Sequence, residues 1–367
     1  MAEDKSNDYA IVIGIKAYSG LTPLNSAVKD AMRFIEWLRH DDGGGIKGEG
    51  KLIPILGDTF TNDWLKAEPN VDTVKNIFYK LGINLGKKIG RRLYVYFSGH
   101  GFTFEVDEIA LAMANASPEY IENSISFNAF RNLFLQVGYF DQVVFILDCC
   151  REQAKFDFTP QSVAHIKLMK ERFEKNSGIV PVAGGTAPPP RIVRDLSVLA
   201  TAFGEQSFAP MDKEIGERRG LLTKALLEGL GGKAVLHDGS ITVASLKQYV
   251  YERVKILAKD HNVRQEAQIR DENSEGIVFK EAVAVPTINV RIEIDNSIKG
   301  KVTLYDRDKS HEFDTVKNGS VWEVNLENRS NPPYFLESNH PVNIEKLDLN
   351  KAKAGEDYVF SFPQSKK

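Results

Sequence analysis

The chain has 367 residues, 47 basic and 50 acidic, with a formal net charge of −3. That balance excludes a general electrostatic pull toward nucleic acid or an anionic membrane. A hydrophobic content of 42% and only two cysteines fit an ordinary globular protein of about two domains in a reducing cytoplasm, with no apolar run near the ~20 residues that span a bilayer and no signal-peptide core in the polar start MAEDKSNDYA.

YAIVIGI (9–15) is a continuous apolar run, the pattern of a strand buried on both faces. SAVKDAMRFIEWLRH (26–40) follows with Ala27, Ala31, Phe34, Ile35 and Leu38 on one helical face. KLIPIL (51–56) reads as a second strand, placed at an edge or irregularity by Pro54. VDTVKNIFYKLGINL (71–85) carries Val74, Ile77, Phe78 and Leu81 on one face, with Asn70 as N-cap. RLYVYFSGHG (92–101) is a third strand that ends in a glycine-bracketed turn. SFNAFRNLFLQV (126–137) is an amphipathic helix, and QVVFILDCC (142–150) a fourth strand. This alternation predicts an α/β fold, a mainly parallel sheet flanked by helices.

Residues 151–195 differ. They join a basic segment, KLMKERFEKNSG, to the proline- and glycine-rich PVAGGTAPPPR, and read as a mobile linker. LSVLATAF (196–203) resumes the strands, RGLLTKALLEGL and TVASLKQYVYERVKILAKD are helices, the second capped by Thr242, and GIVF (276–279) is expected to close the sheet. Beyond about 285 the period changes. TINVRIEI alternates strictly, with Ile288, Val290, Ile292 and Ile294 on one side. VTLYD, a hairpin through Asn318-Gly319 and DYVFSF continue a small all-β, sandwich-like domain.

Both cysteines sit side by side in FILDCCRE (145–152). Adjacent cysteines form a disulfide only with a strained backbone, and no histidine neighbours them to complete a zinc site. A buried pair and a reactive thiol remain. In open parallel sheets, ligands bind at the carboxyl ends of the strands. One such end presents Ser98-Gly99-His100-Gly101 and another Asp148-Cys149-Cys150-Arg151. If the two strands are neighbours, His100 can act as base for a cysteine thiol. The backbone N–H groups of Gly101 and of the cysteine can then hold an oxyanion.

YFSGHG followed about 50 residues later by LDCCRE resembles the caspase-type cysteine peptidases, a group that includes caspases, paracaspases and metacaspases with their prokaryotic relatives; the spacing is the one known for the caspase motif. AIVIGIKAYSGLTPLNSAVKDA resembles the family's first strand and helix start. LSVLATAFGEQSFA resembles the strand that opens its small subunit, and GLLTKALLEGL its glycine-x-phenylalanine-threonine helix, with Leu222 in place of phenylalanine. The resemblance covers roughly residues 8–282. It implies a peptidase domain over 1–285, large-subunit-like over 1–150 and small-subunit-like over 196–285, with the linker at 151–195 between them and the β domain at 286–367 outside.

Carried over by position, His100 is the catalytic histidine and Cys150 the nucleophile, with Cys149 a small buried residue. Asp148 stands where caspases that cut after aspartate have glutamine. A carboxylate there favours a cationic P1 side chain. Asp30 matches the second acidic pocket residue of metacaspases, against the plainer reading of an exposed helix acid, and Ser98 a pocket-lining serine. The expectation is therefore a protein substrate with Arg or Lys at P1. Glu105, Asp107 and Glu108 make a thin oxygen set for calcium, so no metal or other cofactor is expected, and no nucleic-acid or membrane partner. Lys167, Lys170, Arg172, Lys175, Arg191 and Arg194 are candidate self-cleavage positions or a solvated basic face. A prokaryotic member would imply regulated proteolysis, such as antiviral defence or cell death. The alternatives are a catalytically silent scaffold whose β domain binds an activator or partner, and a Cys/His amidase acting on small substrates.

Overall fold

The computed structural model describes residues 5–105, 108–153, 159–162, 166–176, 193–236, 238–282 and 287–298, then 301–305, 312–317, 321–327, 334–339, 342–347 and 358–362. The chain divides into two compact units, Met1–Ala282 and Val283–Lys367. The first runs β1 (Asp8–Ile15), α1 (Ala27–Arg39), β2 (Leu52–Gly57), α2 (Val71–Lys80), β3 (Gly90–Ser98), β4 (Gly101–Glu105), β5 (Glu108–Ala112) and β6 (Ser124–Ser126). It continues with α3 (Phe127–Val137), β7 (Phe140–Asp148), β8 (Glu152–Gln153), α4 (Ile166–Asn176), β9 (Arg194–Leu199), β10 (Met211–Asp212) and β11 (Glu217–Arg218). It closes with α5 (Leu221–Glu228), β12 (Ile241–Thr242), α6 (Val243–Asp260), β13 (Gln268–Asn273) and β14 (Val278–Lys280).

The central sheet has the order β13-β9-β7-β3-β1-β2. Strands β2, β1, β3, β7 and β9 pair in parallel, and β13 joins β9 antiparallel at the edge. Alternation of side chains along each strand splits the core into two layers. Ile11, Ile13, Val95, Phe97, Val143 and Phe145 face α2 and α3. Ala10, Val12, Tyr94, Tyr96, Val144 and Ile146 face α1, α5 and α6. A smaller sheet, β6-β5-β4-β8, grows from the turns that leave β3 and β7.

The helix starts follow the capping chemistry expected of them. Asn70 and Thr73 form a reciprocal capping box at α2, and Thr242 and Ser245 another at α6. Pro54 lies in β2, the sheet edge, where its missing N–H costs no ladder bond.

Three expectations for this unit need correction. The second helix stops at Lys80 rather than running to 85, because Gly82 adopts a left-handed φ of 76° and a separate 3-10 turn follows. The 151–195 stretch is not wholly a linker: α4 forms within it, and Phe173 is buried edge-on against Tyr139. The antiparallel edge of the main sheet is β13, whose polar sequence QIRDEN hides its strand character, whereas the GIVF segment pairs with β12 instead. Lys167, Lys170, Arg172 and Lys175 lie on α4, Arg194 opens β9, and Arg191 is outside the described residues.

The second unit contains β15 (Thr287–Ile294), β16 (Lys301–Tyr305), β17 (Glu312–Lys317), β18 (Val321–Glu327), β19 (Tyr334–Asn339), β20 (Val342–Leu347) and β21 (Tyr358–Phe362). They form two sheets, β18-β15-β21 and β17-β16-β19-β20. Val290, Ile292 and Phe360 from the first sheet share one core with Val302, Leu304 and Leu336 from the second. The strands on either side of Asn318-Gly319 do not pair as a hairpin. β17 pairs with β16 and β18 with β15, so the connection changes sheets; Asn318 and Gly319 themselves lie outside the described residues. Among the described residues, no helix is long and apolar enough to cross a membrane.

Candidate active site

The register of β3 against β7 organises the site. Gly90 pairs with Phe140, and the ladder continues to Ser98 opposite Asp148. Beyond the turns, β4 and β8 pair again, with Phe102 opposite Glu152 and Thr103 opposite Gln153. Each pair differs by the same number of residues. The turns 99–101 and 149–151 therefore have equal length between two fixed ladders, and His100 and Cys150 hold equivalent positions in them. The His100 turn packs closely on the other one: a Cβ at Gly101 would meet Cys149 Sγ at 2.7 Å, and one at Gly99 would meet the Tyr18 hydroxyl at 2.6 Å. Only glycine permits that approach.

Three groups orient His100. Its main-chain N–H donates to the Tyr18 hydroxyl at 2.8 Å, and the Tyr18 ring stands edge-on to the imidazole with centroids 4.8 Å apart. Nε2 lies 2.8 Å from the Thr22 carbonyl oxygen. A carbonyl can only accept, so Nε2 carries the proton and Nδ1 is the basic nitrogen. Phe102 stacks nearly parallel to the ring at 6.4 Å.

The adjacent cysteines diverge. Strand parity sends Cys149 into the α2/α3 layer with Phe145 and Leu147, where it is buried. Burial pushes its thiol well above the usual range, and the neighbouring Cys150 and Asp148 push the same way. Cys150 is partly exposed. Its sulfur accepts from the Ser207 N–H at 3.2 Å, and the Ser207 hydroxyl is 3.6 Å away.

The opposite parity turns Asp148 into the α1/α5 layer, beside Ser98 and Tyr96. Asp148 Oδ2 accepts from the Thr223 N–H at 3.1 Å and the Thr223 hydroxyl at 2.6 Å, and that hydroxyl is 2.7 Å from the Tyr96 hydroxyl. Asp30, on the first turn of α1, is fully buried rather than an exposed helix acid. Its Oδ2 accepts from the Gly220 N–H at 2.8 Å and its Oδ1 from Arg33 at 3.0 Å. Both carboxylates thus take N–H donors from the N-terminus of α5, the positive end of its dipole. Burial, and next the charge of Asp148, push Asp30 up to about 7; Gly220, Arg33 and Arg219 oppose this. Burial also raises Asp148, against the two Thr223 hydrogen bonds. Arg33 and Lys29 bind Glu217 at 2.7 and 2.6 Å, which tethers the β10–β11 hairpin to α1.

All six residues read from the sequence, Asp30, Ser98, His100, Gly101, Asp148 and Cys150, lie at or beside this one sheet edge. Several partners were not read. Thr223 follows from the parity of β7, which aims Asp148 at the start of a predicted helix. Thr22 contributes a carbonyl and Ser207 an N–H, and main-chain groups leave no side-chain signal. Among the acids after His100, Glu108 accepts from Ser126 and Asn128 at 3.2 and 2.8 Å, and Asp107 is outside the described residues.

Comparison with known proteins adds three findings. The family model for the caspase domain matches residues 7–275. A curated protein named "Probable protease", from a Desulfuromonadales bacterium, is 28% identical over 240 residues, 61% of this chain. The match spans 26% of that relative, so this chain corresponds to about a quarter of its length. Among solved structures, caspase-1 from Spodoptera frugiperda aligns at 13% identity and a TM-score of 0.43, over 76% of this chain and 92% of that one. A pro-Sf-caspase-1 structure aligns at 12% and 0.38, over 73% and 88%.

Proposed function

The chain belongs to the caspase-domain family, and on that premise we propose that it is a cysteine endopeptidase that hydrolyses protein chains after arginine or lysine. The observation that carries this reading is the shared register of the two turns, which sets His100 level with Cys150 beside two buried carboxylates. In this reading Nδ1 of His100 takes the proton from Cys150 Sγ, and the sulfur attacks the scissile carbonyl carbon. The main-chain N–H groups of Gly101 and Cys150 bind the oxygen as it gains charge. Collapse breaks the C–N bond, the amine leaves with the proton from His100, and a thioester remains. His100 then takes a proton from water, whose oxygen attacks the thioester. Collapse breaks the C–S bond, the new carboxylic acid leaves, and His100 returns the proton to the Cys150 thiolate.

Asp30 and Asp148 would receive the P1 cation, with Ser98 lining the approach. A buried carboxylate reads a cation strongly because little water competes for the charge. Arginine suits the pair better than lysine because its planar fork can bond two oxygens at once. Self-processing would follow from the same specificity. Of the candidate positions, Lys167, Lys170, Arg172 and Lys175 present the helical backbone of α4, which disfavours cleavage there and leaves Arg191 and Arg194. The test is turnover of fluorogenic peptides with Arg, Lys or Asp at P1. Arg and Lys turnover that Cys150→Ala abolishes is the expected result. Preference for Asp would overturn the pocket, and activity surviving in Cys150→Ala would overturn the nucleophile.

A further inference from the structure

Ser207 lies on the connection from β9 to β10, outside both catalytic turns, yet three of its atoms surround the Cys150 sulfur. Its N–H donates to Sγ at 3.2 Å, its hydroxyl is at 3.6 Å, and its carbonyl oxygen is at 3.7 Å. We propose that Ser207 is a positioning residue for the nucleophile, holding the Cys150 sulfur through its N–H and its hydroxyl and favouring the thiolate.

The connection that carries Ser207 is tied down on both sides. Glu205 O accepts from the Arg151 N–H, and Arg151 O accepts from the Gly204 N–H, both at 2.9 Å. The residue after the nucleophile is thus bonded from both main-chain groups to the segment that carries Ser207. The Arg151 side chain is buried and binds Gln268 and the Thr201 carbonyl. On the other side, the Phe208 N–H donates to Gln265 Oε1 at 2.8 Å, and buried Gln265 donates in turn to the Ala200 carbonyl at 3.1 Å. Positions 205 and 208 are therefore anchored independently, and Ser207 between them needs no reorganisation to meet the sulfur.

The chemistry of the contacts suits a sulfur that changes charge. A main-chain N–H is a permanent donor, and it favours the anion. A hydroxyl rotates, accepting from the thiol and donating to the thiolate. The carbonyl at 3.7 Å can take only the thiol proton, so it orients the resting state and is the weakest of the three contacts.

This inference rests on Cys150 as the nucleophile, and its test can fail separately from that reading. Iodoacetamide alkylation of Cys150 is followed as a function of pH in the full chain, with adducts located by mass spectrometry. Ser207→Ala should move the midpoint of the alkylation profile up by about one pH unit and lower kcat/KM for an arginyl peptide roughly ten-fold below that midpoint, the scale of one lost hydrogen bond to a charged group. Ser207→Thr, which keeps the hydroxyl, should restore both. A profile for Ser207→Ala that superimposes on wild type would overturn the positioning role, as would a shift that Ser207→Thr does not reverse. Turnover that survives in Cys150→Ala would instead overturn the assignment of the nucleophile.

Discussion

The two halves of this sheet edge are held by different kinds of group. His100 and Cys150 are partly open, and the atoms that meet their reactive groups are largely main-chain, the Thr22 carbonyl on the imidazole and the Ser207 N–H on the sulfur. Asp30 and Asp148 are buried and satisfied by the first turn of α5, by Arg33 and by Thr223. Main-chain support fixes a reactive atom without filling the space where a substrate must sit. Burial strengthens the reading of a charge but makes that charge costly, and the cost surfaces as an Asp30 carboxyl pushed up to about 7. One half is therefore expected to fail by losing chemistry, the other by losing selectivity and by responding to pH.

The largest effect is expected at the cysteines. Cys150→Ala should lower peptide turnover by at least about 10⁴-fold, the scale seen when a nucleophile is removed. Cys149→Ala should leave turnover within about three-fold and cost roughly 1 kcal/mol of stability, as expected for a small buried group, measured by urea unfolding. Next is Gly220, where a Cβ would overlap Asp148 Oδ2. Gly220→Ala should cut kcat/KM for arginyl peptides about 100-fold, equivalent to displacing the carboxylate by about 2.7 kcal/mol of transition-state binding, while Cys150 alkylation stays as in wild type.

Asp30→Asn separates the halves by pH. The folded carboxyl sits near 7 against an ordinary value of 3.8. A raised acid stabilises the fold fully below the unfolded value and loses that contribution as pH rises through the folded one. At pH 8 the ionised Asp30 is thus a cost on the order of a few kcal/mol. Asp30→Asn should raise Tm at pH 8 and change it little at pH 4. The same variant should lose roughly ten-fold or more in arginyl turnover above pH 7. It should also lack the rise in kcat/KM expected of wild type as Asp30 ionises. A smaller loss than at Asp30 belongs to Tyr18→Phe, which deprives the His100 N–H of its acceptor; kcat should fall about five-fold with KM unchanged, in line with one neutral hydrogen bond.

Much of this was legible because β-strand parity and helix periodicity are written directly in the side chains. The apolar runs of β1, β3 and β7 announced the sheet, and the alternation of Ile146, Leu147, Asp148 and Cys149 already sends Asp148 and Cys149 to opposite faces of it. What stayed hidden involves atoms that sequence patterns do not encode. The polar run of β13 gives no apolar signal for an edge strand, and Asn318-Gly319 looks like a hairpin turn although its flanking strands belong to different sheets. Arg33 reads as one more exposed helix cation until its bond to Asp30 is seen. The Thr22 carbonyl at the imidazole and the Ser207 N–H at the sulfur are main-chain groups, which no side-chain pattern encodes.

The most direct measurement is active-site labelling of the full chain with an arginyl peptide bearing a chloromethyl ketone, with the modified residue located by mass spectrometry. A single adduct on Cys150 is expected, formed faster than with the aspartyl analogue and slowed by Asp30→Asn and by Asp148→Asn. Labelling of Cys149, or equal rates with the arginyl and aspartyl reagents, would contradict that expectation.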